Sequence, residues 1–253
     1  MKIFITLLLV GVAFMANAQG PPITTDKPIM LGSKSFTMKT LTEIRTTERG
    51  TSTYIPVMFH YIITSNSLVA LHLPVINYDF KDTGSGTSLA DIKIIGKYHF
   101  YRKDKTGKTF RVVAKTLQNL PTGKELGAID LSTGEYQGYY GVVSGYESLK
   151  YGISTEVGYN FSPSIFSEFR AKLGFGLPLL KPQYPNKQVN LFFEYSSSLF
   201  PDLDQYQLLY AQGIQYALKN ITFDLALQLP LIDNNDELNE FKHSVFLGTR
   251  YTF

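Results

Sequence analysis

The chain has 253 residues, of which 44% are hydrophobic and 18% are charged, and its formal net charge is +3. This composition is too apolar for a disordered protein, and the length suits one or two domains. The absence of cysteine excludes disulfides and cysteine-based zinc or redox sites. The small, scattered positive charge argues against a nucleic-acid partner, and 20 glycines, 17 tyrosines and 18 phenylalanines favour a β-rich fold with many turns.

The first 18 residues are typical of a secretory signal peptide. Lys2 precedes an uncharged apolar run, and Ala16 and Ala18 stand at the two positions that a signal peptidase recognises. We therefore predict cleavage before Gln19. The apolar run is too short to span a bilayer comfortably as an anchor. The predicted organisation is a signal peptide at 1–18, a short periplasmic N-terminal segment at 19–33 and a single domain at 34–253.

Apolar and polar residues alternate along most of the remaining chain. Between 169 and 177, every second residue is Phe, Ala or Leu, and the residues between them are Arg, Lys or Gly. A period of two indicates a strand with one apolar and one polar face. No helical period of comparable length is present. Twelve such segments lie at about 34–48, 51–63, 67–76, 87–103, 107–120, 138–149, 150–160, 169–177, 187–199, 205–218, 221–229 and 245–253.

Two β architectures fit this alternation. In a soluble sandwich the apolar face is buried, whereas in an outer-membrane barrel it contacts lipid. Most of the segments are longer than the usual strand of a soluble sheet and long enough for a tilted crossing of the hydrocarbon layer. Tyrosines and phenylalanines gather toward segment ends, where aromatic girdles lie. We therefore predict an all-β fold for 34–253, an antiparallel up-and-down transmembrane β-barrel of about 12 strands in the bacterial outer membrane.

The last predicted strand carries a possible assembly signal. Gly248, Tyr251 and Phe253 resemble the C-terminal signal that the barrel-assembly machinery reads, although Phe246 stands where a polar residue is usual. We therefore expect that machinery and outer-membrane lipid as partners. An even strand number places both termini in the periplasm, with short turns on that side, and only the proline-rich connection 178–187 departs from this pattern. Long outer connections are expected at 77–86, 121–137 and 231–242.

One block of the sequence resembles a known family. The residues that carry the resemblance are Asp91, the run Lys97-Tyr98-His99-Phe100, the corner Leu120-Pro121-Thr122-Gly123-Lys124 and the later pair Gly158-Tyr159. Together they look like the outer-membrane barrels named for a phenol-degradation (MetA) pathway and described as transporter-like. The resemblance implies a barrel that passes small solutes, hydrophobic ones among the candidates. It supplies no binding residues.

Charged residues fall on the face opposite the apolar one. A Lys or Arg facing lipid at the bilayer midplane would cost about 2–4 kcal/mol, so the charged face should line the lumen. Two functions remain open: a passive channel or transporter for a small solute through a charged lumen, or a non-conducting structural or surface-interaction barrel filled by salt bridges. Twelve strands lie between the filled and the open barrel sizes. The residues predicted to line a solute pathway are Lys97, Arg111, Lys115, Glu156, Glu168, Arg170, Glu194, Asp224 and Arg250.

Three histidines raise the question of a metal or catalytic site. His60, His72 and His99 fall on consecutive predicted strands and face inward by the same alternation, with Glu43 on the preceding strand. Imidazoles that bond to lumen water or carboxylates are commoner than metal ligands, so we predict neither a metal nor another cofactor. The adjacent pair His243-Ser244 would point to opposite faces of a strand, and no other nucleophile and base stand together. We therefore expect no enzymatic activity.

Overall fold

The computed structural model describes residues 22–28, 30, 34–126, 132–163, 167–180, 187–234 and 240–253. Within them, no helix combines the length and the hydrophobicity required to cross a bilayer. The predicted signal peptide at 1–18 lies outside the described residues. The strands are β1 (Ser35–Thr47), β2 (Gly50–Thr64), β3 (Ser67–Phe80), β4 (Gly84–Leu89), β5 (Ile92–Lys105), β6 (Lys108–Leu120), β7 (Gln137–Ser148), β8 (Gly152–Phe161), β9 (Glu168–Pro178), β10 (Gln188–Phe200), β11 (Gln205–Ala217), β12 (Ile221–Asp233) and β13 (Phe241–Thr252).

The strands close into one antiparallel barrel. Except for β4 and β5, consecutive strands pair along the chain, and β1 pairs with β13, which closes the barrel. Strands β4 and β5 both pair with β3, at 75–80 and 67–72 respectively, so together they form one interrupted strand of the wall. Twelve strands therefore surround the interior, as the alternation predicted.

The faces of the strands are inverted relative to a soluble protein. On β8, Val157 is 62% exposed whereas its neighbour Glu156 is 2% exposed. On β12, Leu225 and Leu227 are exposed while Asp224 is buried. Most aromatic ring contacts lie near strand ends, such as Tyr159 with Phe169 at 4.7 Å between centroids. An apolar outer belt of this extent requires lipid, which makes the chain an outer-membrane β-barrel.

The connections follow the predicted orientation with one correction. On the side of the chain ends, the turns after β2, β5, β7 and β11 are short, and the connection after β9 is the longer exception. The long outer connections fall between β6 and β7 and between β12 and β13. The prediction of a long outer connection at 77–86 is wrong. Tyr78 and Phe80 pack into an inner apolar cluster, so β3 continues as far as Phe80. A tight turn follows, and β4 begins at Gly84, whose φ is +72°.

Asp91, which lies between β4 and β5, anchors the loop after β6. Asp91, which is fully buried, accepts hydrogen bonds from the backbone N–H groups of Gly123 (2.9 Å), Thr133 (3.0 Å) and Gly134 (3.1 Å). The hydroxyl of Thr122 accepts a bond from Ile92 N at 2.9 Å. The structure therefore brings Asp91 and the Pro-Thr-Gly-Lys corner into one contact.

Candidate functional site in the barrel lumen

An N-terminal stretch, residues 22–30 as far as they are described, lies inside the barrel; we call it the inner segment. Its backbone converges on Glu194 of β10, which is 1% exposed. The N–H of Ile23 donates to Glu194 Oε1 at 2.9 Å, and the N–H of Thr24 donates to Oε2 at 2.9 Å. The N–H of Thr25 and the hydroxyl of Thr24 also donate to Oε2. One buried carboxylate thus holds three successive residues of the inner segment.

The next residue of the inner segment completes a cluster of charges. Asp26 contacts the ammonium groups of Lys97 and Lys115, the second at 2.9 Å. Lys115 Nζ also lies 2.7 Å from Glu156 Oε1. Charges that leave bulk water need partners of opposite sign. Two lysines of the wall and two carboxylates therefore form a balanced group that includes the inner segment.

Further contacts fix the inner segment along its length. Lys27 pairs with Glu147 of β7, and Lys172 Nζ donates to the carbonyl of Thr24 at 3.1 Å. Two apolar anchors flank these polar contacts. Met30 packs in a cluster with Ile62, Leu68, Ala70, Ile95, Val113 and Val143, and Ile23 packs with Phe192, Ala226 and Phe246.

Two wall glycines make room for the inner segment. A Cβ at Gly145 would lie 2.8 Å from the ring of Pro28, and a Cβ at Gly213 would lie 2.4 Å from Ile23 Cδ1. The middle of the interior is therefore filled by the chain itself. Within the segment predicted at 19–33, the described residues 22–28 and 30 lie inside the barrel, because Asp26 and the backbone of residues 23–25 find charged partners on the inner wall.

The nine predicted lumen residues separate into three groups. Lys97, Lys115, Glu156 and Glu194 meet at the inner segment, as described above. Arg170 pairs with Glu168, which is 1% exposed, near the outer end of the barrel. Toward the turns on the side of the chain ends, Asp224 lies 3.7 Å from Arg250 and accepts a bond from Gln215, and Arg111 lies 3.6 Å from Asp104. Sequence reasoning missed Asp26, Lys27 and Glu147, which complete these ion pairs.

Between the inner segment and the outer connections, the barrel contains a cavity that we call the vestibule. Its volume is about 280 Å³, and Ile23 and Thr24 are among its lining residues. The other lining residues come mainly from the halves of the strands that face the outer connections. The inner segment thus separates the vestibule from the half of the interior that lies on the side of the chain ends.

The histidines do not form a metal cluster. The rings of His60 and His72 stack with centroids 5.5 Å apart, whereas His99 Nδ1 lies 3.4 Å from the carbonyl of Ser65. Glu43, expected nearby, instead pairs with Arg45 toward the outer end. No group of three or more metal-binding side chains occurs among the described residues.

The residues of the expected assembly signal lie at the β1–β13 closure. A Cβ at Gly248 would lie 2.9 Å from Leu41 Cδ1, so the position faces inward and is crowded. Tyr251 and Phe253 are exposed, and their rings contact each other at 4.7 Å. Phe246 departs from the expected pattern because it faces inward and packs against Ile23 of the inner segment.

Comparisons with known proteins place the fold but not the family. No protein-family model matches the chain, and no curated protein matches it. Among solved structures, an outer membrane channel from Pseudomonas putida F1 is similar with a TM-score of 0.65 and 12% identity, covering 92% of this chain and 100% of that one. The KdgM porin, solved in complex with disordered oligogalacturonate, is similar with a TM-score of 0.57 and 8% identity, covering 86% and 99%. These similarities establish the fold of an outer-membrane barrel, and the resemblance to the phenol-degradation family stays an expectation.

Proposed function

We propose that the chain is a passive outer-membrane channel for small solutes, closed in its middle by the inner segment. The vestibule is the observation that carries this proposal. A cavity of about 280 Å³ in the outer half of a closed barrel gives a solute a place to enter. The inner segment, and not the barrel wall, forms the bottom of this cavity. The fold shared with an outer membrane channel and a porin supports the proposal at the level of architecture.

The contacts that close the lumen are all non-covalent. They are the hydrogen bonds to Glu194, the ion pairs of Asp26 and Lys27, and two apolar anchors. When the inner segment withdraws, Lys97, Lys115 and Glu156 become the wall of a continuous polar path. In this state we propose that they line the solute pathway, with Arg111, Asp224 and Arg250 toward the periplasm and Glu168 and Arg170 nearer the vestibule.

A second candidate function is a non-conducting structural or surface-interaction barrel. The observation that favours it is the same filling of the lumen, in which a buried carboxylate and a four-charge cluster hold the inner segment. In that case the outer connections predicted at 121–137 and 231–242 would carry the function.

Solute flux into proteoliposomes separates the two functions. Purified full-length protein is reconstituted, and swelling is followed in isotonic solutions of neutral sugars and amino acids of increasing size. A channel gives swelling rates above those of protein-free liposomes that fall with solute size. Rates equal to those of protein-free liposomes, both for the natural chain and for Glu194→Gln, would reject the channel and favour the non-conducting barrel.

We also propose that the barrel-assembly machinery reads Gly248, Tyr251 and Phe253. Support comes from their place on the strand that closes the barrel, where two aromatic rings face outward. Replacing Phe253 with Ala should lower the amount of folded barrel in the outer membrane while leaving detergent refolding of the purified chain unchanged. Equal outer-membrane amounts for both chains would contradict this role.

A further inference from the structure

We infer that the vestibule binds small carboxylates that carry an apolar body. This inference rests on the proposed channel function and names the solute class of the same site. Three properties of the vestibule carry it: the sign of its charges, the apolar side chains between them, and its size. Each property comes from residues on different strands, which the closure of the barrel brings together.

The charged side chains in the described lining of the vestibule are mostly cationic. Its described lining contains five cationic side chains and a single anionic one, Glu43; the cations are Arg45, Arg49, Lys93, Arg170 and Lys172. Two carboxylates, Asp82 and Glu168, pair with lining arginines without belonging to the described lining. The charged side chains that belong to the described lining are thus mostly cationic. A cleft with one excess sign between low-dielectric walls concentrates ligands of the opposite sign.

The cationic groups are held in place by neighbouring side chains. Arg49 Nε lies 2.8 and 2.9 Å from the two carboxylate oxygens of Asp82, and its Nη1 donates to the carbonyl of Leu126 at 2.6 Å. Lys93 Nζ lies 5.3 Å from the ring centroid of Tyr54. A positive field from positioned groups costs little reorganisation when an anion enters.

Apolar side chains occupy the remaining lining and favour a solute with a hydrocarbon part. Phe80, Phe200 and Phe241 are each at most 5% exposed, and Phe246 and Leu209 complete the apolar lining. These groups gain from contact with hydrocarbon and not from contact with a hydrated inorganic anion. Ser196, Ser198 and Gln228 add hydrogen-bonding groups to the same wall.

Size limits the solute. The volume of about 280 Å³ lies just below the roughly 300–1,000 Å³ of pockets that enclose drug-sized ligands. A short-chain carboxylate suits this volume, whereas a long polymer can place only one end in it. The combination therefore indicates a small amphipathic anion.

Isothermal titration calorimetry on the purified full-length protein in detergent tests the inference with three probes. Hexanoate has both the charge and the apolar body, hexanamide has the same shape without the charge, and acetate has the charge without the body. We expect hexanoate to bind about tenfold or more tightly than either of the others, because hydrogen bonds to charged groups and buried methylenes each contribute at that level. Absence of hexanoate binding, or equal affinity for hexanamide, would overturn the inference.

A charge-matched pair of variants locates the site. The double variant Lys93→Gln with Arg45→Gln removes two vestibule cations and should weaken hexanoate binding about tenfold. The control Lys103→Gln with Lys108→Gln removes two exposed cations near the periplasmic turn and should leave binding unchanged. If the first double variant does not fold, Lys93→Gln alone should still weaken binding severalfold. Unchanged affinity in the vestibule variant, or equal losses in both pairs, would contradict the assignment.

The binding test and the flux test fail separately. Binding is measured at equilibrium and needs no permeation, so hexanoate binding without solute flux would reject the channel and retain the anion site. Solute flux without charge-dependent binding would retain the channel and reject the anion site.

Discussion

Replacing Glu194 with Gln should release the inner segment. The carboxylate accepts bonds from three backbone N–H groups and from the Thr24 hydroxyl. The amide of glutamine offers one accepting oxygen, and its NH2 group, itself a donor, would face the donors that the second carboxylate oxygen now serves. Hydrogen bonds to a charged group contribute about 1.5–3 kcal/mol each and are not additive. We therefore expect docking to weaken by about 2–4 kcal/mol, which corresponds to roughly a 30- to 700-fold larger undocked population.

Cysteine labelling measures that population, because the natural chain has no cysteine. Thr25 is 5% exposed, and its hydroxyl has no hydrogen-bond partner in the described structure, so Thr25→Cys is a mild probe. Labelling by a membrane-impermeant maleimide tracks the undocked population when docking is fast. Glu194→Gln should raise the labelling rate at least about tenfold. Glu48→Gln, at a partly exposed outer turn far from the inner segment, serves as the control, and equal labelling rates in the two variants would contradict the role of Glu194.

Three further predictions concern the wall and the outer loops. Asp91→Ala removes the acceptor of four hydrogen bonds and should make the loop after β6 sensitive to limited proteolysis; an unchanged cleavage rate would contradict this. Gly158→Ala places a Cβ 2.4 Å from Tyr139 Oη and should destabilise the barrel by about 1–3 kcal/mol, seen as a lower thermal unfolding temperature in detergent. The hydrogen bond from Arg49 lowers the pKa of Asp82, so the contact between them should persist as pH falls past the usual aspartate pKa and break only at the lower pKa. A carboxyl NMR titration of Asp82 with the midpoint of an ordinary aspartate would contradict this prediction.

The wall of the barrel could be predicted from the sequence because one physical rule governs it. Lipid on one side and water or polar groups on the other impose a period of two on every strand, and this period is visible over 169–177 without any long-range information. The same rule placed Glu156 and Asp224 on the inner face. It failed at 77–86, because Tyr78 and Phe80 continue β3 above the expected turn.

The inner segment could not be predicted from the same rule. Residues 22–30 show no strand period, and their location depends on pairing between Asp26 and lysines about 70 and 90 residues away in the chain. One signal was available. Phe246 is apolar on an inner face where a polar residue was expected, and it packs against Ile23. An apolar side chain on the polar face of a barrel strand therefore indicated an internal partner.

A reversible disulfide between the inner segment and the wall tests whether the inner segment closes the lumen. A Cβ at Gly174 would lie 3.4 Å from Thr25 Cβ, close to the roughly 3.5–4.5 Å of disulfides, and Ser154→Ala removes the hydroxyl 2.7 Å from the new Cβ. The variant Thr25→Cys, Gly174→Cys, Ser154→Ala is studied in planar bilayers before and after reduction. We predict no steady ion current from the oxidised protein and discrete conducting steps from the same protein once it is reduced. Equal currents in the two states would contradict the conclusion that the inner segment closes the lumen.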